Sequence, residues 1–354
     1  MISPPMHYVT TDDGVRIAYM RLGDGPPVVF ASNIFGDLCG YRTGWPHIRE
    51  ITDRLVRLGW RVIRYDVRGM GYSDRSVADL GIEGRVRDLE ALVRQTRLER
   101  FALAGLDIGA ATAVAYTARN PVNVSHLILL SPWPSGAKYL QLPELRAAYA
   151  AEAASNRDPK LFANVLGSVA TGFQDADLIR LRTEWHLNGA SPEDLVAYNA
   201  ANEHIDITDL LPQLTVPALI IHEPAFPFGS LQLCQDVVAG IPRAEFLIVS
   251  DHSIAGRTHD ATVEAIGRFL RAGTVEETSS HSDDATGRRP TPNGLTPREV
   301  QILRQVAAGS TNKEIASEFT LAVSTVERHL VNLYTKIGAR GRADAIAFAL
   351  RHRL

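Results

Sequence analysis

Short apolar runs alternate with helical patterns from residue 27 to residue 249, and few folds accept that rhythm. Pro27–Ala31, Arg61–Tyr65, Phe101–Leu106, Leu127–Leu130, Ala218–His222 and Glu245–Val249 are continuous apolar stretches of strand length. Apolar residues at helical spacing lie between them, around Ile48–Leu58, Ile82–Thr96, Ile108–Arg119 and Leu231–Ala239. A strand buried on both faces reads as an unbroken apolar run, and helices between such strands cover both faces of one parallel sheet. The expected class is therefore α/β, a doubly wound, mostly parallel sheet. Residues 137–211 break the rhythm, because only helical patterns occur there. They predict a helical cap over the sheet.

Composition divides the chain again. Residues 273–293, GTVEETSSHSDDATGRRPTPN, hold almost no large apolar side chain and read as a flexible linker. Residues 294–354 beyond it carry nine Arg/Lys against five Asp/Glu, a net +4, so that −7 of the whole-chain −3 falls on the remainder. A small basic domain on a larger acidic one fits local contact with a polyanion. The expected domains are 1–272, the linker 273–293 and a basic domain 294–354. No run is long and apolar enough to span a bilayer, and the start lacks the basic and apolar regions of a signal peptide. Cys39 and Cys234 show no metal or redox spacing, so neither a metal nor a cofactor is assigned. The expectation is a reduced, cytoplasmic protein without a membrane partner.

The basic domain repeats one helix-start chemistry. Thr296-Pro297-Arg298-Glu299, Thr311-Asn312-Lys313-Glu314 and Ser324-Thr325-Val326-Glu327 each place Glu three residues after a hydroxyl cap. The last of these opens a helix with two faces. Val326, Leu330, Leu333, Tyr334 and Ile337 share the inward face, whereas Glu327, Arg328, Val331, Asn332 and Thr335 face outward. An outward polar face is what a recognition helix presents to a major groove. Lys313, Lys336, Arg340 and Arg342 flank it and suit phosphate contacts, which make binding salt-dependent. LTPRE, NKEIA, STVERH and the KIGARGRADA run give residues 294–354 a close resemblance to the LuxR-type helix-turn-helix domain. The resemblance implies double-stranded DNA as partner, two half-sites and a homodimer. It implies base contacts by Glu327, Arg328 and Val331, supported by Thr311, Asn312, Ser324, Thr325 and Asn332. Glu327 stands where that family commonly has a basic residue. It can accept from a cytosine amino group or serve only as the box residue of its helix.

Two motifs mark the sheet domain. Asp66-Val-Arg-Gly-Met-Gly-Tyr-Ser-Asp74 follows the strand Arg61–Tyr65, and Gly105-Leu-Asp107-Ile-Gly109 turns a strand into a helix. The second has the form of a nucleophile elbow with aspartate in the nucleophile's place. These pieces resemble the α/β-hydrolase fold over about residues 7–271, with 137–211 as cap. The resemblance implies that His252 takes the catalytic histidine's place and that Ser32-Asn33-Ile34-Phe35 replaces an oxyanion-hole loop whose usual His-Gly is absent. An elbow aspartate attacks carbon in haloalkane dehalogenases and epoxide hydrolases, so Asp107 and His252 are the catalytic pair of an alternative, hydrolytic reading. Three departures oppose it. Ile108 stands where dehalogenases place a halide-binding Trp. Glu223-Pro-Ala-Phe-Pro227 lacks the acid the family keeps in that loop, and Ser131-Pro132-Trp133 supplies none. A histidine without its orienting carboxylate is a poor base. The favoured expectation is a pocket for a small, mostly apolar ligand. Asn33, Asp107 and His252 would be its polar set, with walls from Ile34, Ile108, Trp133, Trp185, Leu187 and Phe226.

Overall fold

The computed structural model describes residues 4–32, 35–154, 158–170, 175–224, 226, 228–249, 260–278, 297–307 and 310–318. Beyond those it describes positions 326, 330, 333, 334, 339, 342, 344, 345, 348 and 349. The chain forms two compact units, 1–280 and 281–354.

The first unit is built on an eight-stranded sheet of order β1-β2-β4-β3-β5-β6-β7-β8. Its strands are β1 (His7–Thr10), β2 (Arg16–Leu22), β3 (Pro27–Ala31), β4 (Arg61–Tyr65), β5 (Phe101–Leu106), β6 (Val124–Leu130), β7 (Ala218–His222) and β8 (Ala244–Ile248). From β4 to β8 every neighbouring pair is parallel, whereas β1–β2 and β2–β4 are antiparallel. The apolar runs lie where the sequence predicts strands. The antiparallel edge is an addition: in β1 only Val9 is buried, so it lacks the continuous apolar signal that marks a central strand.

Helices α1 (Asp37–Thr43), α2 (Pro46–Arg57), α3 (Ile82–Thr96), α4 (Ile108–Arg119), α10 (Leu231–Gly240) and α11 (Asp260–Thr278) cover the sheet. Two apolar clusters lie on its faces, one including Leu89, Val114 and Val237, the other Leu55, Val263 and Ile266. Helix α11 runs to Thr278, past the linker boundary expected at 273. Between β6 and β7 the cap contains α5 (Gly136–Tyr139), α6 (Pro143–Ala154), α7 (Pro159–Ala170), α8 (Ala176–Gly189) and α9 (Pro192–Glu203), then a 3-10 turn, Thr208–Gln213. Its two ends are tied together. Gly136 N–H donates to the Ile205 carbonyl at 2.8 Å, and Ile207 N–H to the Pro134 carbonyl at 2.8 Å. Helix α8 is fixed to the sheet's loops, because the Gly71 N–H donates to the Gly189 carbonyl at 2.7 Å.

Strand order explains why the cap sits over one place. The chain leaves β3 toward β4 on one side and returns to β5 on the other. The crevice at such a switch point, outside the carboxyl ends of the strands, is where open α/β sheets bind ligands.

In the second unit α12 (Pro297–Ala307) and α13 (Asn312–Glu318) pack around Ile302, Leu303, Val306 and Ile315. Val326, Leu330 and Leu333 join that core with Tyr334 against it, so the four described residues of the inward face are inward.

Candidate functional site

Asp107 follows β5 and caps α4 with φ 52 and ψ −115. Only a tightly held turn keeps a non-glycine residue there, at a cost of about 1–3 kcal/mol. The flanking glycines permit the turn. A Cβ on Gly105 would lie 2.6 Å from the Gly109 carbonyl oxygen, and one on Gly109 would meet the Ala31 carbonyl oxygen. The Asp107 N–H is held by the Leu130 carbonyl at 2.8 Å. Strand, turn and helix thus fix the direction of one side chain at the switch point.

That side chain is occupied. Trp133 Nε1 donates to Asp107 Oδ1 at 2.9 Å, and the Tyr139 hydroxyl donates to Oδ2 at 2.8 Å. The indole and phenol rings stack, with centroids 5.0 Å apart. Burial pushes the Asp107 pKa up to about 7, against the opposing pull of the Tyr139 and Trp133 bonds and the Arg182 charge. A carboxylate that accepts from two clamped donors is a weaker nucleophile than one left open.

The roof comes from α8. Trp185 is buried, and its Nε1 donates to the Gly36 carbonyl at 2.8 Å. Its N–H therefore holds the cap to the loop after β3 while its ring faces Trp45 at 6.0 Å. Arg182 lies over both indoles, its guanidinium carbon 4.9 Å from the Trp45 ring centre and 4.4 Å from that of Trp185. Burial first, then the Arg182 charge, holds His186 well below the ordinary histidine range, so its ring is neutral.

Of the residues expected to line a pocket, Asp107, Ile108 and Trp133 come together at the elbow, all buried. Phe226 is half-buried and meets Phe228 edge-on at 5.8 Å. Leu187 is 42% exposed and turns away from the roof, since it lies on the opposite side of α8 from Arg182 and Trp185. Asn33, Ile34 and His252 lie outside the described residues. Sequence reasoning missed Tyr139 and Arg182. Neither belongs to a motif, and both act from the cap, whose helices have no fixed register against the sheet until the chain folds.

Glu223 follows β7, and its carboxylate is turned elsewhere. Thr262 on α11 donates to Glu223 Oε1 at 2.7 Å. His47 Nδ1 lies 3.7 Å from Oε2, but burial, with the charges of Arg64 and Arg182, lowers the His47 pKa to about 3. The imidazole is neutral, so this contact is no ion pair. Both partners sit on the helices of the α2 and α11 face.

In the second unit the Thr311–Glu314 box is formed. Thr311 N–H donates to Glu314 Oε2 at 2.6 Å, and Glu314 N–H donates to Thr311 Oγ1 at 3.3 Å. Lys313 is exposed on the first turn of α13. Arg342 donates to the Ser310 carbonyl and, at 3.4 Å, to Asn312 Oδ1, so its guanidinium braces the start of α13. Ser324, Thr325, Glu327, Arg328, Val331, Asn332, Lys336 and Arg340 lie outside the described residues.

Comparison with known proteins agrees with both units. Residues 26–252 match the family described as alpha/beta hydrolase fold, and residues 293–349 match the luxR family of bacterial regulatory proteins. The chain belongs to the α/β-hydrolase fold family and carries a C-terminal LuxR-type helix-turn-helix, DNA-binding domain. Among curated relatives, AB hydrolase superfamily protein YisY of Bacillus subtilis (strain 168) is 25% identical over 259 residues, 68% of this chain and 89% of its own. Response regulator Rre1 of Synechocystis sp. is 34% identical over 97 residues, 27% of this chain and 42% of its own. An esterase from Exiguobacterium antarcticum superposes with a TM-score of 0.64 at 20% identity, covering 75% of this chain and 98% of that one, a likeness of fold.

Proposed function

We propose that the protein is a ligand-responsive transcriptional regulator whose hydrolase-like cleft senses a small, mostly apolar molecule, a lactone or an ester. The observation that carries this reading is the elbow. Its strained turn is kept, but its carboxylate is tied to Trp133 and Tyr139. Such an arrangement retains a binding element of a hydrolase cleft and quiets its nucleophile. The DNA-binding domain is the output, acting as a homodimer on two half-sites in the cytoplasm. Ligand binding shifts the equilibrium between two states of the protein, so the ligand must bind them with different affinity.

The test uses purified protein and a compound library of esters and lactones read by thermal shift. The reading expects at least one compound that raises Tm, and whose effect Asp107→Ala removes while the variant stays folded. The same compound must change affinity for operator DNA; a compound that binds without touching DNA affinity removes the sensor role. On the DNA side, Arg328→Ala should weaken specific binding, and Lys336→Ala should weaken binding to all sequences.

The second reading is an active hydrolase with Asp107 as nucleophile, favoured by the nucleophile-like φ of 52. Steady turnover of an ester or alkyl halide that disappears in Asp107→Asn would establish it.

A further inference from the structure

Arg182 is 7% exposed, and its only partners among the described residues are the two indole faces. It makes no hydrogen bond and no ion pair with any of them, and its Nε is fully buried without an acceptor. A guanidinium carries five N–H donors in one plane and remains protonated in proteins. Burial lowers the Arg182 pKa to about 9 against the opposing pull of Asp107 and Tyr139, so the charge persists at neutral pH. The groups that feel this charge offer little compensation. His47 and His186 are neutral, Tyr139 is bonded to Asp107, and both Asp107 oxygens already accept from Trp133 and Tyr139. Among the described residues the result is a cation with an aromatic floor, the field of Asp107 and no hydrogen-bonded carboxylate, on the cap helix that roofs the elbow.

Two of the chain's other buried cations are paired with carboxylates, whereas Arg85 gives its Nε to the Leu80 carbonyl and lies over the Tyr198 ring with its terminal nitrogens unfilled. Arg64 bonds Thr52 and Asp37, and Arg68 is held by Asp88 and Asp13. A guanidinium is a planar fork that matches a carboxylate, which takes two parallel bonds from it, and the Arg182 Nε is buried with no acceptor. We propose that Arg182 anchors the carboxylate of the cleft's ligand, with the Trp45 and Trp185 rings holding its guanidinium in place. The ligand class sharpens from any small acyl compound to an apolar molecule with an acidic end. This inference rests on reading the cleft as a ligand pocket.

The test compares 4-phenylbutyrate with its methyl ester, an uncharged compound of similar shape, on the full-length protein by thermal shift and calorimetry. The acid should raise Tm by several degrees and the ester by much less. Arg182→Met should weaken the acid by about tenfold or more and leave the ester unchanged, and Arg182→Lys should restore part of the loss. Without ligand, Arg182→Met should melt at or above the wild-type temperature, because it removes a buried charge with no hydrogen-bonded partner among the described residues. Ester binding as tight as the acid's, or acid binding that survives Arg182→Met, overturns the anchor and leaves the pocket standing. A shift with neither probe counts against both. A large fall in the ligand-free Tm of both Arg182→Met and Arg182→Lys makes the residue structural and also overturns the anchor.

Discussion

Two buried arginines in the hydrolase-like unit face opposite circumstances. Arg68, in the loop after β4, is fully buried, and every nitrogen of its guanidinium has a partner. Nε donates to Asp88 at 2.9 Å, and the two terminal nitrogens reach Asp13 at 2.7 and 3.1 Å. Its N–H donates to the same Asp88 carboxylate at 3.1 Å. Arg182, also buried, in the cap, has two rings and no hydrogen-bond acceptor among the described residues. Removing an arginine from solvent is costly unless its hydrogen bonds and charge are compensated within the protein. Arg68 is compensated by the chain itself, so it is part of the scaffold. The contrast marks the roof as one place, with Arg85 over the Tyr198 ring another, where a buried guanidinium is not completed by described acceptors.

The aspartates repeat the contrast. Asp66 and Asp107 are both buried, and burial pushes both to about 7. Asp66 accepts from the N–H groups of Leu38 at 2.7 Å and Tyr72 at 2.8 Å, so it organises two loops. Asp107 accepts from two side chains, one of them on the cap.

The largest expected effect tests the arginine comparison directly. Asp88→Ala leaves Arg68 with half its partners and should lose about 3–5 kcal/mol in urea unfolding. Arg182→Met should lose nothing by the same measurement. Equal losses would erase the distinction between scaffold and roof.

The next effect is in pH. The folded pKa of Asp107, about 7, is above its unfolded value of 3.8. The folded state therefore holds the proton more tightly. The stabilisation is full below about pH 4 and is lost as pH rises through about 7. Asp107→Asn has no such proton. The stability of the wild type relative to this variant should fall across that window, by on the order of 4 kcal/mol. A flat difference between pH 4 and 8 would mean that the carboxyl is not buried as described.

Tyr139→Phe removes one donor to Asp107 and should cost about 1 kcal/mol. Because the lost bond favours the ionised carboxyl, the midpoint of the Asp107 titration should also move upward. A midpoint that stays or falls would show that Tyr139 does not serve the charged form.

The smallest effect belongs to the other unit. Thr311→Ala removes the hydroxyl half of the cap on α13, worth about 1 kcal/mol or less. In calorimetry only the transition of the C-terminal unit should shift. A shift in the larger unit's transition would join regions that are compact separately.

Much of this was legible before folding because the relevant rules act locally. The parallel strands from Pro27 onward appear as apolar runs, and the elbow appears as two glycines about an aspartate. The Thr311–Glu314 box is a spacing of three. In the antiparallel edge β1 was not legible, since it buries only Val9, although β2 buries Ile17 to Met20 in one run. Nor was the fate of Glu223, because a carboxylate at a strand end looks the same whether it turns to the cleft or to Thr262.

The sequence by itself determined the two-part organisation, the α/β class and the position of Asp107. Periodicity, small residues and capping depend on neighbours a few positions apart. Only the tertiary structure decided what Asp107 can do. Trp133 and Tyr139 stand 26 and 32 residues away from it. Arg182 reaches its field from a cap helix that no local rule places. Hydrogen-bond partnership and burial set both the reactivity of the carboxylate and the incompleteness of the arginine, and those are properties of packing across long stretches of chain.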